Sequence, residues 1–272
     1  MLNKSASYYE NPEMTEHITT SSLARTGRLR FCLSPETKGK KILDLGCGPG
    51  TQISYLAQQN IVVGADAGFT MLQNARKGGL LPCRADFEQP YLPFQDDSFD
   101  IIVCTDVIEH VRYPMHLLQE IRRVLNPQGI AILSVPNQFH LFRRLRMLFG
   151  KNILAPWDHK EFKAWDYFHL HFWTWRDFQD FLETGGFEVR QAFHEEAPME
   201  GLHLIRLLLS KEYLENWNQR HAAQKLYRLV VNSVSAFLRW SGIGRFLTRT
   251  LPRLSPALFT QSHLVSANKK AH

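Results

Sequence analysis

Between Lys40 and Val189 the chain alternates short, near-continuous runs of Val, Ile and Leu with segments of helical periodicity. That alternation limits the fold more than any other feature. KILDLG (41–46), IVVGADA (61–67), LPCRADF (81–87), FDIIVCTDV (99–107) and GIAILSVP (129–136) read as strands. TQISYLAQQ (51–59), TMLQNARK (70–77) and MHLLQEIRRVL (115–125) read as the helices between them. A strand that is apolar on both faces must be covered on both faces, which describes a parallel sheet with helices on either side. Right-handed crossovers then give a doubly wound, Rossmann-like α/β sheet.

After Pro136 the rhythm breaks. Residues 138–172 are rich in aromatics and histidines and read as an inserted cap. The rhythm resumes with a helix over 174–186, stopped by a glycine pair, and a strand over 187–193. A second, mainly helical insertion runs from about 200 to 255, and FTQSHLVSAN (259–268) alternates like an antiparallel strand. The expected organisation is a helical lead-in over 1–39 and one domain over 40–272 carrying both insertions.

ILDLGCGPGT (42–51) is a strand that ends in a glycine-rich turn and opens into the following segment. Such a turn lets the backbone approach a ligand closely and adopt positive φ. A dinucleotide fingerprint would need glycine at position 51, where this chain has Thr51, and Pro49 intervenes. Asp66 closes the second strand, twenty residues after Gly46, where a carboxylate can accept both ribose hydroxyls of an adenosine. Asp86 closes the third, where its carboxylate and the backbone N–H of Phe87 can read an adenine edge. No Lys or Arg lies between Asp44 and Asp66, so nothing there answers a diphosphate. An adenosine ligand without a diphosphate is the expectation.

ILDLGCGPG, VVGADAGFTML, RADFEQPYLPFQDDSFD, VCTDVIEHV and VLNPQGIAILSVPN, in that order, resemble the class I S-adenosylmethionine-dependent methyltransferases. The resemblance spans roughly residues 40–195. DVIEHV and HLHFWTWRDFQDFLETGGFEV (169–189) look closest to the ubiquinone-biosynthesis-type O-methyltransferases. It implies a seven-stranded, mostly parallel sheet whose last strand is antiparallel, and S-adenosyl-L-methionine as cofactor. It also implies that Asp44, Gly46, Cys47, Gly48 and Gly50 surround the methionine moiety and that Asp66, with Ala67, holds the ribose. Met71 would flank the adenine, Asp86 and Phe87 would read it, and Thr105 would lie near the sulfonium. The family's upstream basic residue, which meets the cofactor carboxylate, corresponds to Arg28.

Two histidines are candidate catalytic groups. His110, just after the fourth strand, could act as general base, since an imidazole suits deprotonation of an acceptor hydroxyl. The competing and preferred reading is that Glu109 and His110 cap the loop, because in-line positioning alone can drive methyl transfer from a sulfonium. His169 could line the acceptor pocket, also as a base. Asp158, His159, His169 and His171 suggest a cation, but nothing fixes a third ligand, and no metal is expected. The cap aromatics, including Trp157, Trp165 and Trp173, read mostly as core, with some free to clamp a flat or greasy acceptor.

Asn216 to His272 contains nine Lys and Arg and no Asp or Glu, a charge of +9 that leaves −3 on residues 1–215. Leu226, Val230, Val234, Phe237 and Leu238 form one apolar stripe at helical spacing, flanked by Lys225, Arg228 and Arg239. Three readings stay open: a helix on an anionic membrane surface through 223–253, a helix packed on the domain, or a nucleic-acid surface. The last is disfavoured because the intervening residues are aliphatic. The start of the sequence has no apolar run after a basic segment, and no stretch reaches the roughly 18–20 apolar residues of a spanning helix. Four cysteines without CxxC spacing argue against a disulfide frame or a zinc site. A cytoplasmic protein, peripheral on the inner face of a membrane if the basic helix docks there, is the expectation; the oligomeric state is left open. The expected function is O-methylation of a small or lipid-like acceptor. An RNA or protein methyltransferase, or a non-catalytic donor-binding protein, is the alternative.

Overall fold

The computed structural model describes residues 28–148, 150, 169–194, 255, 258, 260 and 262–270. The aromatic stretch 151–168, nearly all of the second insertion and the expected basic helix over 223–253 lie outside the described residues. Seven strands form one sheet: β1 Lys41–Leu45, β2 Ile61–Asp66, β3 Leu81–Arg84, β4 Phe99–Thr105, β5 Leu125–Pro136, β6 Phe187–His194 and β7 Ser262–Lys269. Their order is β3-β2-β1-β4-β5-β7-β6, with the last strand in sequence antiparallel. Beside a helical stretch over residues 28–32, the described helices are α1 Phe69–Lys77, α2 Pro114–Val124, α3 Leu141–Leu148 and α4 Trp175–Thr184.

Alternation along the central strands assigns their side chains to two cores. Leu43 and Leu45 of β1, Ile102 and Cys104 of β4, and Leu133 and Val135 of β5 join Leu118 and Ile121 of α2 and Phe178 and Leu182 of α4. Ile42, Ile101, Val103 and Ile132, from the intervening positions of the same strands, join Leu72 and Ala75 of α1, Ile53, Leu56 and Leu29. Both faces of β1 and β4 are therefore dry, which is why these strands read as unbroken apolar runs. Residues 28–32 are helical and bring Leu29 and Leu33 into the second core.

Most expected elements appear within a few residues of their expected bounds, with one exception. TQISYLAQQ forms turns around a single 3-10 turn, Ser54–Leu56, instead of a helix. Ile53, Leu56 and Ala57 each donate three residues back, to the carbonyls of Gly50 (3.3 Å), Ile53 (2.9 Å) and Ser54 (3.1 Å), so the bonding is mostly of the tighter kind. Asn60 then ends the run by donating from Nδ2 to the carbonyls of Leu56 (2.9 Å) and Thr37 (2.7 Å). β5 also starts earlier than expected, at Leu125, with an irregularity opposite Phe99 and Ile101 that absorbs Asn126-Pro127.

The chain divides into two compact units, residues 1–136, 168–193 and 263–272 forming the first, and 137–167 and 194–262 the second. Charge divides with them. The first unit holds seventeen Lys and Arg against eighteen Asp and Glu, and the second fifteen against eight. α3 belongs to the second unit, contains three arginines and exposes Met147 and Leu148. Within that unit the buried Asn137 donates to the carbonyl of Thr260 at 2.8 Å.

Candidate active site

The carboxyl ends of β1, β2 and β4 converge on one turn. Register places Asp44 beside Gly64 of β2 and Val103 of β4, so Asp44 stands in the middle of three strands. After Leu45 the chain leaves the sheet through Gly46, Gly48 and Gly50, all at positive φ (69°, 52° and 74°). The N–H groups of Gly46 and Cys47 both reach the carbonyl of Ala65, at 2.8 and 3.2 Å, which folds the turn back over β2.

The turn leaves no room for side chains. A Cβ at Gly46 would lie 2.3 Å from Val107 Cγ2, and one at Gly64 would lie 2.9 Å from Cys47 Sγ. Gly64 is a site residue that sequence reasoning missed, because a single glycine inside a strand carries no motif; its role is to admit Cys47 of the turn. Gly46→Ala combines this overlap with a left-handed backbone and is expected to cost about 2–4 kcal/mol. Thermal melting checks this, and an unchanged melting point would show that Val107 can yield.

Asp66 is the pivot of the site. One carboxylate oxygen accepts the N–H of Gly48 at 2.9 Å and the other that of Gly68 at 2.8 Å, so this side chain locks the glycine turn to the start of α1. Each oxygen keeps a lone pair for a further donor. Burial pushes the Asp66 carboxyl up, opposed by the N–H groups of Gly68, Gly48 and Ala67. Asp44, wholly enclosed, is pushed up to about 8, first by burial and then by the charge of Asp66. Two carboxylates sharing one dry turn suit a ligand that brings a cation and hydroxyl donors.

The other expected binding residues fall as follows. Asp86 is exposed and accepts the N–H of Glu88 at 3.0 Å and Nε2 of Gln89 at 3.4 Å. Ala67 and Phe87 are half-buried, while Met71 and Cys47 are buried. Thr105 is buried as the last residue of β4. Arg28 donates from Nη2 to Asp106 Oδ2 at 3.0 Å, and Ser134 donates from Oγ to Asp106 Oδ1 at 3.1 Å. Asp106, at φ 56°, is one of two described non-glycine residues at positive φ. Sequence reasoning passed over it, although a short carboxylate straight after a buried strand is the kind of residue that tolerates this conformation.

The structure brings His110 and His169 together. Glu109 and His110 lie in a 3-10 turn, Ile108–His110. The carbonyl of Glu109 accepts the N–H of Leu170 at 2.8 Å and of His171 at 3.3 Å, and His171 Nε2 lies 3.0 Å from the carbonyl of Val111. These bonds staple 169–171 to 109–111. The two imidazoles meet edge to face, centroids 4.6 Å apart. Glu109 is fully buried, with Oε1 3.7 Å from His110 Nε2 and 4.0 Å from His169 Nε2. Cys104 ties this cluster to the glycine turn electrostatically. Burial pushes its thiol up, and the charges of Glu109, Asp44 and Asp106 add to the effect. An open groove of about 640 Å³ lined by Glu88, Arg112, Tyr113, Met115 and His116 includes none of the expected site residues.

Residues 43–133 match a family described as "Methyltransferase domain". The chain is similar to the ubiquinone biosynthesis O-methyltransferase of Pasteurella multocida, 34% identical over 115 residues, covering 37% of this chain and 48% of that one. It is similar also to the protein of that name from Roseobacter denitrificans, 33% identical over 134 residues, covering 47% and 53%. The chain thus spans about half the length of the curated relatives it matches. A solved S-adenosylmethionine-dependent methyltransferase from Archaeoglobus fulgidus shares the fold, with a TM-score of 0.59 at 16% identity over 95% of this chain and all of that one. The family match thus identifies a methyltransferase domain over residues 43–133 of this chain, on a sheet whose fold solved methyltransferases share.

Proposed function

We propose that the protein transfers the methyl group of S-adenosylmethionine to an oxygen of a small or lipophilic acceptor. The observation that carries this is the turn built on Asp44 and Asp66, whose two carboxylates and three positive-φ glycines, with no Lys or Arg in the sequence between them, fit an adenosine bearing a cationic amino-acid tail. When bound, that donor supplies an electrophilic methyl group on a positive sulfur. The protein's part is to hold donor and acceptor in line and to exclude water. Asp66 would take the ribose hydroxyls through its spare lone pairs, Asp44 would face the donor's ammonium, and Asp86 with Phe87 would read the adenine. His110 and His169 would accept the acceptor's proton. Arg28 would serve the donor carboxylate from its position beside Asp106.

Oxygen as the methylated atom is supported by the names of the relatives and by the imidazole pair, since a hydroxyl must lose a proton and an amine need not lose it first. A lipophilic acceptor is supported by the excess positive charge of the second unit, which suits an anionic membrane surface. The expected result is radioactive methyl from labelled donor appearing in the organic phase when purified protein is incubated with total cell extract. Label confined to precipitated macromolecules would replace this reading with an RNA or protein acceptor. Tight donor binding with no label in any fraction would make the protein a donor-binding module.

A further inference from the structure

We infer that Glu109 is a shared positioning residue that makes His110 and His169 one proton-accepting pair instead of two alternative bases; its part in turnover rests on the methyltransferase reading above. Leu170 and His171 both donate to the carbonyl of Glu109, so the chain near position 169 is registered against position 110 by main-chain bonds and not by the imidazoles themselves. The main chain at 169–171 cannot leave 109–111 without breaking that staple. His171 is turned the other way, onto the carbonyl of Val111, and stays out of the pair.

One carboxylate oxygen then faces both imidazoles from a fully buried position, at 3.7 and 4.0 Å. Those separations act through charge, or through a water between the groups, rather than through a direct hydrogen bond. A negative charge beside an imidazole favours its protonated form, and one imidazolium disfavours a second 4.6 Å away. The cluster therefore holds one proton readily and a second poorly, and it titrates as a unit. The Cys104 thiol at the end of β4 feels the charges of Glu109, Asp44 and Asp106, and Arg28 pairs with Asp106.

The side chains of His110 and His169 are 21% and 12% exposed, so the pair is open to an acceptor and to solvent while the carboxylate is not. In the reaction, the acceptor O–H bond breaks with its electron pair left on oxygen, and the proton forms an N–H bond on a neutral imidazole. That oxygen takes the methyl group as the methyl–sulfur bond breaks, with its pair left on sulfur. The second imidazole shares the charge created on the first, and solvent removes the proton.

The test is a histidine-ring NMR titration of the full chain, which needs no acceptor. His110 and His169 are expected to show coupled, two-step titration. E109Q should lower both midpoints by about one pH unit or more, H169Q should leave His110 with a single step, and E109D should restore part of the shift. With an acceptor in hand, the rise of methyl-transfer rate with pH should move to lower pH in E109Q and its plateau should fall tenfold or more, with donor affinity unchanged. Independent titrations that E109Q does not move would overturn the pair. So would tight binding of Zn²⁺ alone that E109Q abolishes, which would make the cluster a cation site. If E109Q does not fold, H110Q and H169Q decide by whether each changes the other's titration. Coupled titration with no methyl transfer to any extract would leave the pair standing and remove the methyltransferase reading.

Discussion

Asp66→Ala is expected to weaken S-adenosylmethionine binding about 100-fold or more by titration calorimetry, while the protein still folds. Hydrogen bonds to a charged group are worth about 1.5–3 kcal/mol each, and two ribose hydroxyls would lose theirs together. The same substitution strands the N–H groups of Gly48 and Gly68, which the carboxylate now satisfies at 2.9 and 2.8 Å. A buried donor left unpaired costs about 1–3 kcal/mol, so the melting point should fall as well. Asp66→Asn separates the two effects. It keeps the shape and one acceptor oxygen but turns an NH2 towards the other N–H, so it should recover about half of the lost stability and little of the affinity. Unchanged donor affinity in both variants would remove Asp66 from the binding site.

Asp44→Asn should do the opposite to stability. The carboxyl of Asp44 is pushed up to about 8 by burial, with the charge of Asp66 adding to it. Between an ordinary carboxyl value near 4 and this value, the folded donor-free protein binds a proton that the unfolded chain does not. As far as this group is concerned, stability is therefore greatest below about pH 4 and is lost as pH rises towards 8, by up to about 1.4 kcal/mol per pH unit. An amide carries no such penalty. The variant should therefore melt several degrees above the native protein at pH 8 and show a flatter dependence on pH. Donor binding should weaken tenfold or more, because the ammonium then loses its anion. Melting curves from pH 5 to 8 for both proteins check this, and parallel curves would show that Asp44 does not titrate there. Donor should also stabilise the native protein more at pH 8 than at pH 6. The gain arises because a bound cation restores what deprotonation costs.

Some of this site was legible in the sequence because its chemistry is local. The turn over 46–50 follows a buried strand directly, so glycine spacing alone points to a close approach of backbone to ligand. Asp66 sits at the end of an apolar run, and a carboxylate in that place must face either water or a partner. Other parts were not legible. TQISYLAQQ has residues that suit a helix, but it is short and bounded by the glycine turn and by Asn60, whose side chain takes the carbonyl of Leu56. Tertiary closure overrode local preference there. Gly64 gives no signal because what it makes room for, Cys47, arrives from the turn after β1. Asp106 pairs with Arg28, seventy-eight residues away, a contact that no local pattern encodes.

The histidines show the division most clearly. Sequence reasoning picked out His110 and His169 separately, each for the chemistry of an imidazole, and left them as alternatives. It could not see that sixty residues of chain return to the same carboxylate. Periodicity and turn residues are set by neighbours within a few positions, so the chain by itself determined the βα alternation, the glycine turn and the acidic strand ends. Which side chains meet across the sheet is set by strand order and crossover packing. That is why only the tertiary structure decided that Asp44 and Asp66 share one dry turn and that Glu109 faces two imidazoles at once.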